Sequence, residues 1–539
     1  MTAEWDYIVV GAGSAGSAVA ARLSESGRYR VLLLEAGPTD RLFWVRVPIG
    51  YGRTFYEPRV NWMYETEPVD GFGGRISYWP RGKVLGGSSS INAMVYSRGQ
   101  SSDFDEWEAL GNRGWGWRDV LRVYRKLEDH DLGASAWHGS GGPLHVTTID
   151  KYAHPLSRLF IMAGREAGLP FNPDLNGATI EGVGLYQITT RQGFRESAAS
   201  AYLRKRRANL EIMTEAHVTR VIFEGKKAVG VAYERGGQEH EARVSHEVIV
   251  SAGAVGSPHL LQLSGIGPGD LLKRHGIQVV HENKAVGRHL QDHLCYDFTY
   301  RSRAPSLNNL LRPWQGKLRA GLQYIMMRSG PLSMSLNQGG GYYRSKPTRL
   351  APDIQLYFSP LTYEKAPPKT RPLMNPDPFA GFCTSISPCK PKSEGYLEIT
   401  SPDWRTYPVI HPNYLSDHED IAAMVEAARF LRKLGNAPSF ASVIETELKP
   451  GKQIMTDEDF ARDIRERSYS VFHPVGSCRM GPDPSASVVD PRLIVHGIDG
   501  LRVIDASIFP VITSGNTNAP SIMVGERGAE FILERKISN

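Results

Sequence analysis

Trp5-Asp6-Tyr7-Ile8-Val9-Val10 runs straight into Gly11-Ala12-Gly13-Ser14-Ala15-Gly16, and a second apolar run, Val31-Leu32-Leu33-Leu34, ends at Glu35. Between them Ala18, Ala20, Ala21 and Leu23 follow a helical pattern. The order is strand, glycine turn, helix, strand, acid. Gly11 permits the tight turn, Gly13 lets the backbone approach a pyrophosphate, and Gly16 lets the helix pack closely on the strand. The helix N-terminus offers unpaired N–H groups and a positive dipole end to phosphates. Glu35 is placed for ribose hydroxyls, and with no arginine directly after it a 2′-phosphate is disfavoured. A lone glycine triplet is weak evidence, but the second strand and its terminal acid make this one specific for a dinucleotide. It does not separate NAD from FAD.

The chain has 539 residues, and at about 100–200 residues per domain it should hold two or more folding units. Apolar residues are 41% and charged residues 22%, as in an ordinary globular protein, so disorder is excluded as the main state. The net charge of +6, from 63 basic against 57 acidic residues, is too small to indicate a nucleic-acid partner. The basic cluster Arg204-Lys205-Arg206-Arg207 reads as a solvated helix end. Cys295, Cys383, Cys389 and Cys478 are widely spaced, with neither CxxC nor a zinc arrangement, which favours a reducing compartment. Met-Thr-Ala-Glu-Trp-Asp shows no signal-peptide pattern. No run approaches the ~18–20 apolar residues of a membrane span. The expectation is a cytoplasmic protein, with peripheral contact at the inner membrane left open.

Two further glycine-rich elements matter. Pro80-Arg81-Gly82-Lys83-Val84-Leu85-Gly86-Gly87-Ser88-Ser89-Ser90-Ile91-Asn92 can bring backbone, hydroxyls and amides against a flat ligand. Gly253-Ala254-Val255-Gly256-Ser257-Pro258, continuing to Gly267, follows the strand Glu247–Val250 and opens another helix. The stretches Gly82–Asp105 and Gly253–Gly267 resemble the two signatures of the glucose–methanol–choline (GMC) flavoprotein oxidoreductases. The resemblance extends over nearly the whole chain, including His473-Pro474-Val475-Gly476 and Gly515-Asn516-Thr517-Asn518. The most similar members look like bacterial dehydrogenases of aliphatic alcohols, choline and sorbose.

The resemblance implies an α/β fold (α+β overall): a Rossmann-like FAD-binding domain at 1–158, 209–299 and 464–539, and a discontinuous substrate-binding domain at 159–208 and 300–463. The latter should present a mixed β-sheet as the ceiling of the site. Residues 302–320 and 360–393 read as surface loops and lids, rich in Pro, Arg and Lys. Gly395–Thr400 reads as a half-buried strand and Asp420–Leu434 as a helix.

Oxidising a CH–OH group needs a base near pKa 7, since an alcohol holds its proton about as tightly as water, pKa ~16. Histidine suits this. By resemblance, His473 faces the flavin N5 as base, and Asn516 hydrogen-bonds the substrate oxygen without being able to take a proton. The expected FAD contacts are Gly11, Gly13, Ser14, Ala15, Gly16, Glu35 and Ala36, then Arg81, Val84, Gly86, Gly87 and Ser88. Asn92, Ala93, Met94 and Val95 should run under the isoalloxazine, Val218 should meet the adenine, and Ala252, Asp505, Ala506, Asn516 and Thr517 complete the set. Covalent members carry histidine where this chain has Ile91, so non-covalent FAD is expected. His289 and His293 form an i, i+4 pair suggestive of a metal site on a helix, disfavoured because no third ligand is near. The implied function is FAD-dependent oxidation of a primary alcohol to an aldehyde, with electrons passed to a quinone, another redox carrier or O2. A nicotinamide enzyme and a non-catalytic flavin-fold protein are the rival classes. The alcohol is open between aliphatic, aryl, sugar-like and choline-like, with Trp62, Tyr64, Phe358, Tyr363 and Trp404 available to face a quaternary ammonium. The basic segments 302–320 and 364–373 offer charge for an anionic membrane.

Overall fold

The structure is a computed structural model and describes residues 5–363 and 375–534. The first unit contains β1 (Trp5–Val10), α1 (Ser14–Ser24), β2 (Val31–Leu34), β3 (Leu210–Met213), β4 (Ala216–Glu224), β5 (Lys227–Arg235), β6 (Gln238–Val250) and α2 (Gly253–Leu263). Its sheet has the lateral order β3-β2-β1-β6-β5-β4. β3, β2, β1 and the end of β6 run parallel, and Leu501–Val503 joins the last residues of β6 in the same direction. The first half of β6 carries β5 and β4 as an antiparallel meander. Tyr7, Ile8 and Val9 are fully buried, because a parallel strand is covered on both faces and must read as an unbroken apolar run.

The glycines of the first turn divide their work. Gly11 has φ +96°, and a Cβ there would lie 2.5 Å from the Ser251 carbonyl oxygen. At Gly16 a Cβ would stand 2.0 Å from the Gly11 oxygen. At Gly13 nothing lies closer than 4.0 Å, so that side of the turn is open. Two glycines let backbone close on backbone, and the third leaves room for a ligand.

The second unit contains β7 (Leu294–Ser302), α3 (Leu307–Leu311), α4 (Trp314–Met327), β8 (Gly339–Tyr343), β9 (Ile354–Ser359), β10 (Gly381–Pro388), α5 (His418–Gly435) and β11 (Ile444–Lys449). The order is β8-β9-β10-β7-β11. Where a mixed sheet was expected, every ladder is antiparallel, and one parallel bridge, Glu181 to Tyr342, lies at the β8 edge. Tyr296, Phe298, Phe358 and Phe382 pack with Met424, Ala428, Leu431 and Leu434 of α5 in one core cluster. The alternate residues Cys295, Asp297 and Thr299 of β7, Tyr357 and Ser359 of β9, and Cys383 and Ser385 of β10 line a cavity. The expected strand appears as Tyr396–Glu398, paired with Val409–His411.

Two expectations need correction. Residues 302–320 are not a loop: they hold α3 and the first half of α4, the three-to-four-residue spacing having been masked by flanking Pro, Arg and Lys. The 360–393 segment includes β10, a central strand. The segment 364–373 and residues 1–4 lie outside the described residues. The expected boundaries at 158 and 299 fall inside the helix Pro155–Glu166 and inside β7. Arg204, Lys205 and Arg206 are exposed just beyond the helix Ala198–Tyr202.

α6 (Asn518–Glu534) crosses α1 closely enough that a Cβ on Gly525 would be 2.5 Å from the Ala15 oxygen. At this crossing the fully buried Glu526 accepts from Arg22 Nε at 2.8 Å and Tyr202 OH at 2.7 Å. Replacing Glu526 with Ala leaves Arg22 only the exposed Glu25 as an acidic partner and removes the acceptor of Tyr202, which should cost up to about 3 kcal/mol. Thermal unfolding followed by flavin release should show the midpoint drop by several degrees, about 2–4 °C per kcal/mol at most for a chain this long.

Candidate active site

One long cavity starts at the β1–α1 turn, passes the Pro80–Val95 loop and ends beneath the antiparallel sheet. Gly11, Gly13, Ser14, Ala15, Glu35 and Ala36 line its first part, with Val218 and Ala252 beside them. Arg81, Gly87, Ser88, Asn92, Ala93, Met94 and Val95 follow, with Asp505, Ala506 and Thr517. His473 and Asn516 stand at the far end. Gly16, Val84 and Gly86, expected as cofactor contacts, do not line it. Gly16 is closed off by Gly11, as described. Val84 is fully buried in a cluster with Val45, Val60 and Ile91. Gly86 donates its N–H to the Ala12 carbonyl, and its Cβ direction is filled by Ser90 Oγ at 2.3 Å. All three shape the wall from behind.

The first part is built for a nucleotide. Glu35 accepts the N–H groups of Ala12 and Gly37, both at 2.9 Å, and burial pushes its carboxyl up to about 7. The N-termini of α1 and α6 converge, with Ser14 Oγ donating to Asn518 Oδ1 at 2.8 Å, so two helix dipoles point at one place. A Cβ on Gly87 would lie 2.7 Å from the Gly13 Cα, which makes the two glycine turns a narrow two-sided cradle. Asp505 accepts from Gly253 N and Ser507 N, each at 2.8 Å, and from Ser257 Oγ at 2.5 Å, fixing the start of α2 on the wall. His259 lines the cavity, and its buried Nε2 has no protein hydrogen-bond partner among the described residues. Asn92 Oδ1 accepts from Arg195 Nη1 at 2.8 Å, while the other guanidinium bonds go to the Val45, Ser89 and Pro48 carbonyls. A dinucleotide with a wide ring at one end fits this cradle.

At the far end the backbone N–H of His473 is held by Asp292 Oδ1 at 2.7 Å. The other Asp292 oxygen accepts from Ser470 Oγ and Tyr414 OH, both at 2.5 Å. Arg81 Nη2 donates to the Phe472 carbonyl at 2.7 Å, and Phe472 takes φ +67°. The loop is thus fixed on both sides of the imidazole.

A hydrogen-bond chain then fixes the tautomer. The Cys389 carbonyl can only accept, so His293 Nε2, 2.9 Å away, carries a hydrogen. Burial holds the His293 pKa down to about 4, so the ring is neutral and its Nδ1 is an acceptor. His473 Nδ1, 3.1 Å from that atom, must donate, which leaves His473 Nε2 unprotonated and an acceptor. Asn516 Nδ2 faces that nitrogen at 3.1 Å, and Asn516 Oδ1 accepts from Gln355 Nε2 at 3.3 Å. Burial, helped by His293 and Arg81, drives the His473 pKa well below 6.5. The arrangement presents an unprotonated base and an N–H donor to the same point in space.

Comparison with known proteins agrees with this geometry. Residues 5–295 and 391–525 match two family profiles, each described as GMC oxidoreductase. The chain belongs to the GMC oxidoreductase family. It is 43% identical to the alcohol dehydrogenase [acceptor] of Pseudomonas putida, over 98% of this chain and 96% of that protein. It is 41% identical to human mitochondrial choline dehydrogenase, over 98% and 90%. A structure of formate oxidase from Aspergillus oryzae, made to follow FAD modification, superposes with a TM-score of 0.91 at 28% identity, covering 100% of both chains. The oxidoreductase is an FAD-dependent enzyme acting on CH–OH donors.

Sequence reading missed His293, Asp292, Gln355, Arg195 and Asn518 as site residues. The signal for the first two lay in the His289–His293 stretch, read as a weak metal motif. That stretch is not helical, and its two histidines part: His289 Nδ1 meets Glu394 at 2.7 Å, whereas His293 turns to His473. Trp62, Tyr64 and Trp404 line the Val218 part of the cavity, Tyr363 the sheet end, and Phe358 is fully buried in the core.

Two consequences are measurable in one pH–rate series. The acid limb of kcat/KM in the parent should lie below 6.5, because the base stays neutral until well under that value. His293→Phe removes the acceptor that fixes the tautomer, so kcat should fall by about 10²-fold while the flavin spectrum is kept. Unchanged kcat in that variant would disprove the tautomer chain.

Proposed function

We propose that the enzyme oxidises a primary alcohol to its aldehyde, with His473 Nε2 taking the hydroxyl proton and Asn516 Nδ2 holding the oxygen. The carrying observation is the convergence of an unprotonated Nε2 and an amide donor 3.1 Å apart at the cavity end. FAD, when bound, supplies the acceptor for the hydride that leaves the carbon. His473 removes the proton as the hydride departs, so no free alkoxide builds up. Asn516 stabilises negative charge developing on oxygen, and Gln355 keeps its amide turned that way. The substrate end sets the aromatic and apolar Tyr357, Leu361, Tyr363, Tyr469 and Phe472 beside the polar Thr299, Ser359 and Ser385, which suits an alcohol with an apolar part and further polar groups. Asp297 is the carboxylate there and would face a cationic one.

On this reading the cofactor is held by the glycine cradle at Gly13 and Gly87, by Glu35 at the ribose, and by the Asn92–Val95 turn under the ring. The flavin-binding part comprises 1–158, 209–299 and 464–539 and the substrate part 159–208 and 300–463. Electrons pass on to a quinone or another redox carrier; the name of the Pseudomonas relative specifies an acceptor without naming it. Likeness to formate oxidase favours a second reading in which O2 accepts them and H2O2 forms.

Anaerobic addition of 1-alkanols, an aryl alcohol or choline should bleach the flavin band with at least one of them, and admitting air then separates oxidase from dehydrogenase. His473→Ala should keep the flavin but lose bleaching, by about 10²–10⁴ in rate. Turnover that survives this change refutes the assignment of the base. Because the Ile91 side chain at the cavity wall has no nucleophilic atom, the FAD is non-covalent. Heat precipitation should leave the yellow colour in the supernatant, and a yellow pellet would contradict this.

A further inference from the structure

α4 faces the wrong way for a core helix. Trp314, Leu318, Leu322, Ile325 and Met326 are 69, 54, 50, 60 and 78% exposed. At 100° per residue these five fall on one arc of about 120°, the width of an ordinary amphipathic face. Ala320 and Tyr324 are the buried residues, on the opposite side. The apolar arc therefore points to solvent. Phe194 packs on the inner side, not on the arc: its ring meets Tyr324 edge-on, centroids 6.4 Å apart, and Arg328 lies over both rings. An exposed face of this size marks an interaction surface.

Charge selects the partner. Between Asp297 and Asp353 the sequence has no Asp or Glu, and Arg312, Lys317, Arg319 and Arg328 lie on or directly beside α4, whereas Arg344 and Arg349 further on are paired with Glu181 and Asp353. Lys317 and Arg319 flank the apolar arc on its two sides by helical geometry. A second copy meeting this face across a two-fold axis would bring the same cations against each other. An anionic lipid surface instead matches both features: acyl chains for the arc and headgroups for the rim. Among the described residues no helix is long and apolar enough to cross a membrane, so the contact is one of lying on it.

We propose that α4 is a docking helix that seats the enzyme on an anionic lipid bilayer. Its inner side belongs to the cluster of Val47, Ile49, Leu336 and Leu361, and Leu336 and Leu361 also line the substrate end of the cavity. Docking thus sets the roof of the substrate end on lipid, where apolar alcohols and quinones collect. That use of the site rests on the alcohol-oxidation reading above, but the docking itself does not. The helix also replaces the simple basic loop expected from 302–320, because it adds an apolar anchor that charge alone would lack.

The test is flotation of the holoenzyme with vesicles of phosphatidylcholine, alone or with phosphatidylglycerol, using the parent and the double variant Leu318→Asp/Ile325→Asp. The parent should float with the anionic vesicles, and the variant should partition at least about ten-fold less while keeping its flavin band. Raised salt should weaken the parent's binding only in part, since the apolar contact is not screened. Equal flotation of parent and variant, or a parent that stays unbound, overturns the proposal. So does a parent dimer in sedimentation velocity that the variant disperses, which would make the face a contact between copies. Anaerobic bleaching by a 1-alkanol, run on the same samples without vesicles, should be equal in both. If it is absent in both, the oxidation reading fails while the flotation result stands by itself.

Discussion

Everything in this enzyme follows from backbone meeting backbone at the first glycine turn. Gly11 against Ser251 and Gly16 against Gly11 leave no space for a Cβ, so β1, β6 and α1 come together at a distance that side chains would forbid. That closeness pins the carboxyl ends of the parallel strands and aims the α1 N-terminus outward. Gly13, at the same turn, is left open. The Pro80–Val95 loop then closes over this opening through Gly87 and is held from beneath by Arg195. The cradle is made by the absence of side chains in two places and the presence of one buried cation behind them.

The reactive end uses a different device. His473 is buried among groups that disfavour its charged form, and its orientation is imposed by partners that can play only one role. A carbonyl oxygen cannot donate and burial keeps His293 neutral, and from these two facts together the hydrogens on His293 and His473 follow in turn. Asp292 acts on the backbone and not on the ring, so the loop is fixed without adding a carboxylate partner to the imidazole. The imidazole proposed as the base is thus kept neutral at neutral pH, with its Nε2 at the cavity end.

Much of this was legible in the sequence, and the limits have physical reasons. β1, α1, β2 and the start of α2 were readable because fully buried parallel strands and glycine turns leave local marks. α5 was readable from its period. α4 was not, because its apolar residues face outward among Arg, Lys and Pro, and composition gave a loop. The directions of the cavity-lining residues also escaped: Phe358 and Tyr357 are neighbours, yet strand alternation sends one to the core and the other to the site. Val84 and Gly86 were read as contacts because motif position does not distinguish a wall from what stands behind it. His293 was visible only as half of a metal motif, since its partners Cys389 and His473 are distant in sequence and are brought together by the fold.

β7 has two duties on one strand. Its first residues pair with Tyr469 and Ser470, immediately before the catalytic-end loop, and the adjoining Asp292 and His293 hold and orient His473. Two and four residues further on, Cys295 and Asp297 face the substrate space. Recognition and chemistry therefore share one rigid ruler. On the proposed reading, a side chain changed at 295 to admit a new alcohol presses on the same ladder that sets the base, and selectivity and rate are mechanically joined. Variation that retunes one without the other is easier on β9 and β10, which reach the same space from strands that do not pair with the base loop.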